Sequence, residues 1–378
     1  MGSIRKDEKD GRLVKNFCLF LLMLGALALP WACSDNSNPS TPGGPSLGGG
    51  ATATPTFPIV STPGTATATP TSAVPAPSYL SEWAAAAAPN GFYLDSTNNQ
   101  LYVAEADSLH AGVQVYDTTN LAGAITFQSN LVLLTVGGAS TTVVLNHPLG
   151  LAWVPFNPYS SYFVILDGTS SGGASIYSGT SPMLADVNTG TNYGNGAPPF
   201  KNPTGFTTNG YYFYIADTGN GYVYEIDPSC GPNPCPVHPW NGYSPNNFLK
   251  PSHLACSPIG TNDNIWVADT GYNPSLISCF KSSGVTWVTQ FATIPNCVVN
   301  GMAVTVDSGG NDVVYVSDSA NQLVEEYDHN GNLLRSWGNP HGPHQFNPFK
   351  PSAIAIDTNN GHILVGDQNN RTVEVFGP

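Results

Sequence analysis

Beyond residue 79 the chain alternates apolar and polar positions in short runs, and Gly, Asn, Asp or Pro bounds nearly every run. Side chains on a strand alternate with a period of two, so such runs predict β-strands joined by tight turns. No segment carries a convincing helical period. Six of the runs end in an acid: Leu101–Glu105 (LYVAE), Phe163–Asp167 (FVILD), Tyr214–Asp217 (YIAD), Trp266–Asp269 (WVAD), Tyr315–Asp318 (YVSD) and Leu364–Asp367 (LVGD). The acids follow one another at 62, 50, 52, 49 and 49 residues. Upstream of each lies an apolar strand opened by Pro89-Asn90-Gly91, Pro148-Leu149-Gly150, Pro203-Thr204-Gly205, Pro251-Ser252-His253, Asn300-Gly301-Met302 or Pro351-Ser352-Ala353. Downstream, a polar turn leads into a further strand, as at Tyr222–Ile226, Leu323–Tyr327 and Val373–Phe376.

A repeat of this length with three or four strands is the size of one propeller blade. Six copies between residues 79 and 378 predict an all-β, six-bladed β-propeller. The sixth copy ends at Phe376 without a fourth strand, while Tyr79–Trp83 stands before Pro89 as a fourth strand should. The N-terminal strand is therefore expected to complete the last blade, which seals the ring and removes two edges.

The first 33 residues read as an export segment. Phe17 to Leu29 is an unbroken apolar run of 13 residues after a basic cluster. A spanning helix needs about 20, so the run fits a signal-peptide core. Pro30-Trp31-Ala32-Cys33 resembles a bacterial lipobox, which implies lipidation of Cys33; cleavage after Ala28 and an uncleaved anchor are the alternatives. Residues 34–78 are Ser, Thr, Pro, Gly and Ala with TATPT twice, a composition that cannot bury a core and predicts a disordered linker. The expected location is the cell envelope or surface, on a lipid anchor.

Charge narrows the partners. Three of the 25 acids and five of the 11 basic residues precede Cys33, which leaves 22 acids against 6 basic residues. Phosphate backbones are bound mainly through Lys and Arg, so nucleic acid is disfavoured. Lys201, Lys250, Lys281, Arg335, Lys350 and Arg371 are scattered along the sequence and show no basic patch. The expectation is a monomer that binds a protein or a small molecule and meets the membrane only through its N-terminus.

Among the seven cysteines, Cys230 and Cys235 flank Gly-Pro-Asn-Pro and read as a loop-closing disulfide. Cys256, Cys279 and Cys297 are an odd remainder; Cys256 and Cys279 fall on the inner and third strands of the fourth copy, which are not neighbours, and are expected to be buried thiols. The acids Glu105, Asp167, Asp217, Asp269, Asp318 and Asp367 form a ring by symmetry. They could hold a cation or serve as an acid/base set on one face, but an acid in every copy is expected to cap the turn that follows it. His341 and His344 form an H-x-x-H within a Pro/Gly loop, whereas His147 and His253 fall at inner-strand starts near the channel mouth. A catalytic zinc site needs three ligands and an open position, and no such set stands out. The expected cofactor is none, with calcium or zinc as the alternative.

The stretches DTGNGYVYEID (Asp217–Asp227), DSANQLVEEYDHNGNLLRSWG (Asp318–Gly338) and HQFNPFKPSAIAIDTNNGHILVGDQNNRTVEVFG (His344–Gly377) resemble NHL repeats. The resemblance spans the 300 residues after the linker and is strongest in copies three to six. It implies a β-propeller, commonly six-bladed. PSHLAC and WVADTGYNPSLISCF also resemble repeats of the peptide-amidating lyases, six-bladed relatives with a histidine-bound metal. The expected function is a binding module presenting loops on one propeller face. The alternative is a metal-dependent lyase or lactone hydrolase in the central channel; a purely structural envelope protein is the third reading.

Overall fold

The computed structural model describes residues 74–106, 111–121, 126–130, 145–154, 162–168, 174–179, 185–188, 200–227, 237–243, 246–282, 286–338 and 348–378. The export segment, Cys33, the linker up to residue 73, Cys230, Cys235, His341 and His344 lie outside them. The described residues form six four-stranded antiparallel sheets and one two-stranded hairpin, Gly242–Tyr243 with Asn246–Asn247. The innermost strands are Pro89–Asp95, Pro148–Val154, Pro203–Thr208, Pro251–Cys256, Val299–Val306 and Pro351–Asp357, here numbered sheets one to six. Each inner strand packs beside the next, and the sixth packs beside the first, so the sheets close a ring about a central channel. This is a β-propeller.

The core is divided among the sheets. Six apolar clusters each join two neighbours: Tyr214 and Trp240 of sheet three meet Leu254 and Phe280 of sheet four, and Trp266 of sheet four meets Met302 and Tyr327 of sheet five. The remaining clusters join sheets two and three, one and two, five and six, and six and one. Alternation alone predicts half-buried strands, but the second strand of a sheet is covered on both sides. Phe213–Asp217 and Asp312–Asp318 are buried at every position, because each sheet is flanked by two others.

Tyr79–Ala84 pairs antiparallel with Thr372–Phe376 and supplies the outer strand of sheet six. At the axis, inner strands approach so closely that side chains do not fit between them. A Cβ on Gly205 would strike the Ser252 carbonyl, and one on Gly301 the Ser352 carbonyl. Polar side chains beside these glycines tie one sheet to the next. Asn90 donates to the Pro148 carbonyl (3.4 Å), Thr204 to Ser252 (2.8 Å), Asn300 to Pro351 (3.2 Å) and Ser352 to Pro89 (2.7 Å). These four residues were missed in the sequence. Their only signal there is a small polar residue after the strand-opening position, whose partner lies in the next copy.

Candidate functional site

The six repeat acids are buried, none more than 1% exposed, at one end of the propeller. Each carboxylate accepts hydrogen bonds from the loop that leads into the inner strand of its own sheet. The donors are the amides of Ala87 to Glu105, Asn146 and His147 to Asp167, Lys201 to Asp217, Leu249 and Lys250 to Asp269, Val298 to Asp318, and Lys350 to Asp367. Most also take donors from the turn after their own strand. Gly271 N donates to Asp269 (2.9 Å), Ala320 N to Asp318 (3.0 Å) and Asn369 N to Asp367 (3.0 Å), and the side chain of Asn220 donates to Asp217 (2.7 Å). The acid thus pins two loops that are about 20 residues apart in the chain. Burial pushes the Asp217 carboxyl up to about 6 against the opposing pull of the Lys201 amide, and Asp167 moves in the same direction.

The channel is lined by the second to fourth residues of the inner strands and encloses a cavity of about 70 Å³. At the third position five sheets carry Gly91, Gly150, Gly205, Gly301 and Ala353, and sheet four carries His253. Beside them stand Phe92, Leu151, Phe206, Leu254, Met302 and Ile354. His253 is partly accessible, but its Nδ1 is sealed from solvent and has no hydrogen-bond partner. The ring therefore meets the channel with its other edge. Burial pushes the imidazole down to about 4, so it is neutral at physiological pH. His147 is exposed in the loop before Pro148 and does not line the channel.

One cluster away from the channel has metal-ligand chemistry. Donor atoms of Cys297, Asp318 and Glu325, all buried, lie within 4.8 Å of one another. The Asp318 carboxylate is already occupied by the Val298, Ala320 and Asn321 amides and the Asn321 side chain. Burial pushes Glu325 up to about 8, with the Tyr327 hydroxyl bond opposing and Asp318 reinforcing the shift. Glu374, at the matching register in sheet six, is also pushed up to about 8 by burial and by Glu82, with no cysteine among the causes. A buried glutamic acid beside the repeat aspartate is thus a feature of two sheets, with a proton supplying the neutralisation. The folded-state value lies above the unfolded 4.5, so this stabilisation is complete below about pH 4.5 and is lost as pH rises towards 8. Glu325→Gln is expected to flatten the fall in stability between pH 5 and 8 by on the order of 2 kcal/mol, read from denaturant midpoints across that range. An unchanged pH profile would count against the buried acid. Cys256 and Cys279 are free thiols on the inner and third strands of sheet four, and burial pushes each up to about 12, so neither is a reactive thiolate.

No known protein family matches the chain, and no curated protein matches it in sequence. Solved structures do match. An auxiliary nutrient binding protein from Bacteroides thetaiotaomicron superposes with a TM-score of 0.54 at 13% identity, over 78% of this chain and 69% of that one. The β-propeller domain of Cps50 (Swd1) from Myceliophteria thermophila gives 0.52 at 10%, over 80% and 100%. A gluconolactonase, XC5397 from Xanthomonas campestris, gives 0.50 at 14%, over 78% and 87%. At such identities the likeness is one of fold. The fold the chain shares with them is the β-propeller.

Proposed function

We propose that this chain is an exported, lipid-anchored, six-bladed propeller of NHL type that binds a ligand at the mouth of its channel without transforming it. The observation that carries the reading is the state of the repeat acids. Each of the six carboxylates accepts at least one backbone amide, and among the described residues the channel lining holds one imidazole, Asn90 and Thr204 but no carboxylate. A metal-dependent hydrolase needs several oxygen or nitrogen donors converging on one ion with a position left open for water. The likeness to a nutrient binding protein favours binding, and the likeness to a gluconolactonase keeps lactone hydrolysis as the second reading.

One preparation tests both halves. Full-length protein carrying Cys33→Ser should leave the membrane fraction, whereas the wild type stays through a high-salt wash. The purified propeller should hold only substoichiometric zinc and calcium and should not open aliphatic lactones above the buffer rate. Stoichiometric metal together with lactone turnover would reverse the reading in favour of the hydrolase. A Cys33→Ser protein retained on the membrane would replace the lipid with an uncleaved signal anchor.

A further inference from the structure

The six basic residues beyond Cys33 look dispersed in sequence, but the fold gathers four of them at one end. Lys201, Lys250 and Lys350 occupy the loops that lead into the inner strands of sheets three, four and six. Their carbonyls accept from the turns after the second strands: Gly219 N to Lys201 (2.7 Å), Thr270 N to Lys250 (3.0 Å) and Gln368 N to Lys350 (3.0 Å). Arg371 sits in the last of these turns. All four are exposed. Neither His238–Glu225 nor Arg335–Glu326, ion pairs among the described residues, involves the three lysines. Every charged residue described in these lead-in loops and turns is basic, in a chain of net charge −14.

The opposite end has the reverse character. Asp95, Asp263, Asp307 and Asp328 stand, partly or fully exposed, in its strand-connecting turns. The buried repeat acids beneath the lysines offset part of the positive field, but their charge is shared with the amides that bond them. Among the described residues, the exposed formal charge in the loops and turns at the end where the inner strands begin is cationic. A low-dielectric wall around such a mouth focuses the field on an approaching anion.

We propose that the channel mouth binds a small organic anion, a carboxylate, with Lys201, Lys250 and Lys350 neutralising its charge and the free edge of His253 meeting its body inside the channel. The inference rests on the binding reading above and adds the ligand's class. Size favours a small molecule over a polymer. A space of about 70 Å³ holds roughly five water positions, room for the end of a compact acid. A neutral imidazole with a sealed Nδ1 places its proton on the other nitrogen at least cost, because a buried N–H without a partner is avoided, and so presents a donor to a polar atom of the ligand's body.

The test is calorimetric titration of the full chain, at low salt, with acetate, succinate and citrate, and with acetamide and succinamide as uncharged counterparts. At least one acid should bind, its amide should not, and affinity should fall as salt rises. Lys201→Gln/Lys250→Gln/Lys350→Gln should weaken binding about tenfold or more, whereas Lys281→Gln at the other end should change it less than about twofold. These lysines are exposed, so an unchanged melting temperature confirms that the variant folds. Binding of none of the acids, or equal binding by the triple variant, overturns the proposal. Equal binding of succinate and succinamide removes the anion but leaves the binding module standing. Lysine-dependent capture of heparin without any small acid assigns the face to a polyanion instead. Lactone turnover with bound metal would end the binding reading itself, a separate outcome from all of these.

Discussion

Asp312→Ala is expected to destabilise the propeller by about 3–5 kcal/mol, more than any other single substitution away from the glycines at the axis. Asp312 opens the second strand of sheet five and is 2% exposed. Its carboxylate accepts from Ser257 Oγ (2.8 Å), Asn264 Nδ2 (2.7 Å) and Trp266 Nε1 (2.7 Å) on one oxygen and from Asn262 Nδ2 (2.8 Å) on the other. All four donors belong to sheet four or its first turn, so one side chain ties two sheets together. Truncation strands the donors in a dry interface, and Trp266 is 1% exposed in the cluster that joins the same two sheets. Asp312→Asn should recover part of the loss, since its amide oxygen can still accept from Ser257, Asn264 and Trp266 while its N–H group faces only Asn262. Asp328, which binds only its own turn at a partly exposed site, is the control and should cost less than about 1 kcal/mol as alanine. Guanidinium unfolding followed by tryptophan fluorescence decides it. A loss for Asp312→Ala no larger than the control's would mean that the cluster contributes nothing net.

The strands and the repeat acids were legible because both are local. A strand ending in Val-Ala-Asp and a turn of Gly or Asn fit within ten residues, and repetition averages out the ambiguity of any one copy. The contacts that weld the ring were not legible, because their partners lie a full repeat or a full circuit away. The Ser352 hydroxyl reaches the Pro89 carbonyl across 263 residues, and nothing near Ser352 in sequence announces it. The lysines show the same limit. Lys201, Lys250 and Lys350 are one or two residues before an inner strand, a shared address that has meaning only once those strands converge. His253 lay in between. Aligning Gly91, Gly150, Gly205, Gly301 and Ala353 exposes it as the odd member of its layer, but only the channel geometry turns the oddity into a site.

Removing Tyr79–Ala84 is expected to cost about 3–5 kcal/mol and to promote association between chains. Five residue pairs link this strand to Thr372–Phe376, from Tyr79 opposite Phe376 to Ala84 opposite Thr372. The pairing is extended at both ends, by Gly377 N to the Ser78 carbonyl (2.6 Å) and by Ala85 N to the Arg371 carbonyl (2.8 Å). The Ser81 hydroxyl crosses to the Leu121 carbonyl of sheet one (2.6 Å). Tyr79 meets Phe376 edge-on at 6.1 Å, and Trp83 leans on Tyr116 at 6.0 Å. Leu80 and Trp83 pack against the cluster between sheets six and one. Tyr79, Leu80 and Trp83 are half-buried, so each contributes about 1 kcal/mol of apolar burial, and the ladder bonds add to this after the entropy of ordering the strand. The second effect comes from what is uncovered. Val373, Val375 and Phe376, now 1% exposed or less, would form a flat apolar edge, a template for strands of other molecules. Light scattering should show concentration-dependent association of the shortened chain. A peptide covering residues 74–88, added in trans, should reverse the added association and restore most of the lost melting temperature by refilling the gap. A shortened chain with no added association and an unchanged midpoint would show that the ring closes through the inner strands alone, with the outer strand only an ornament on sheet six.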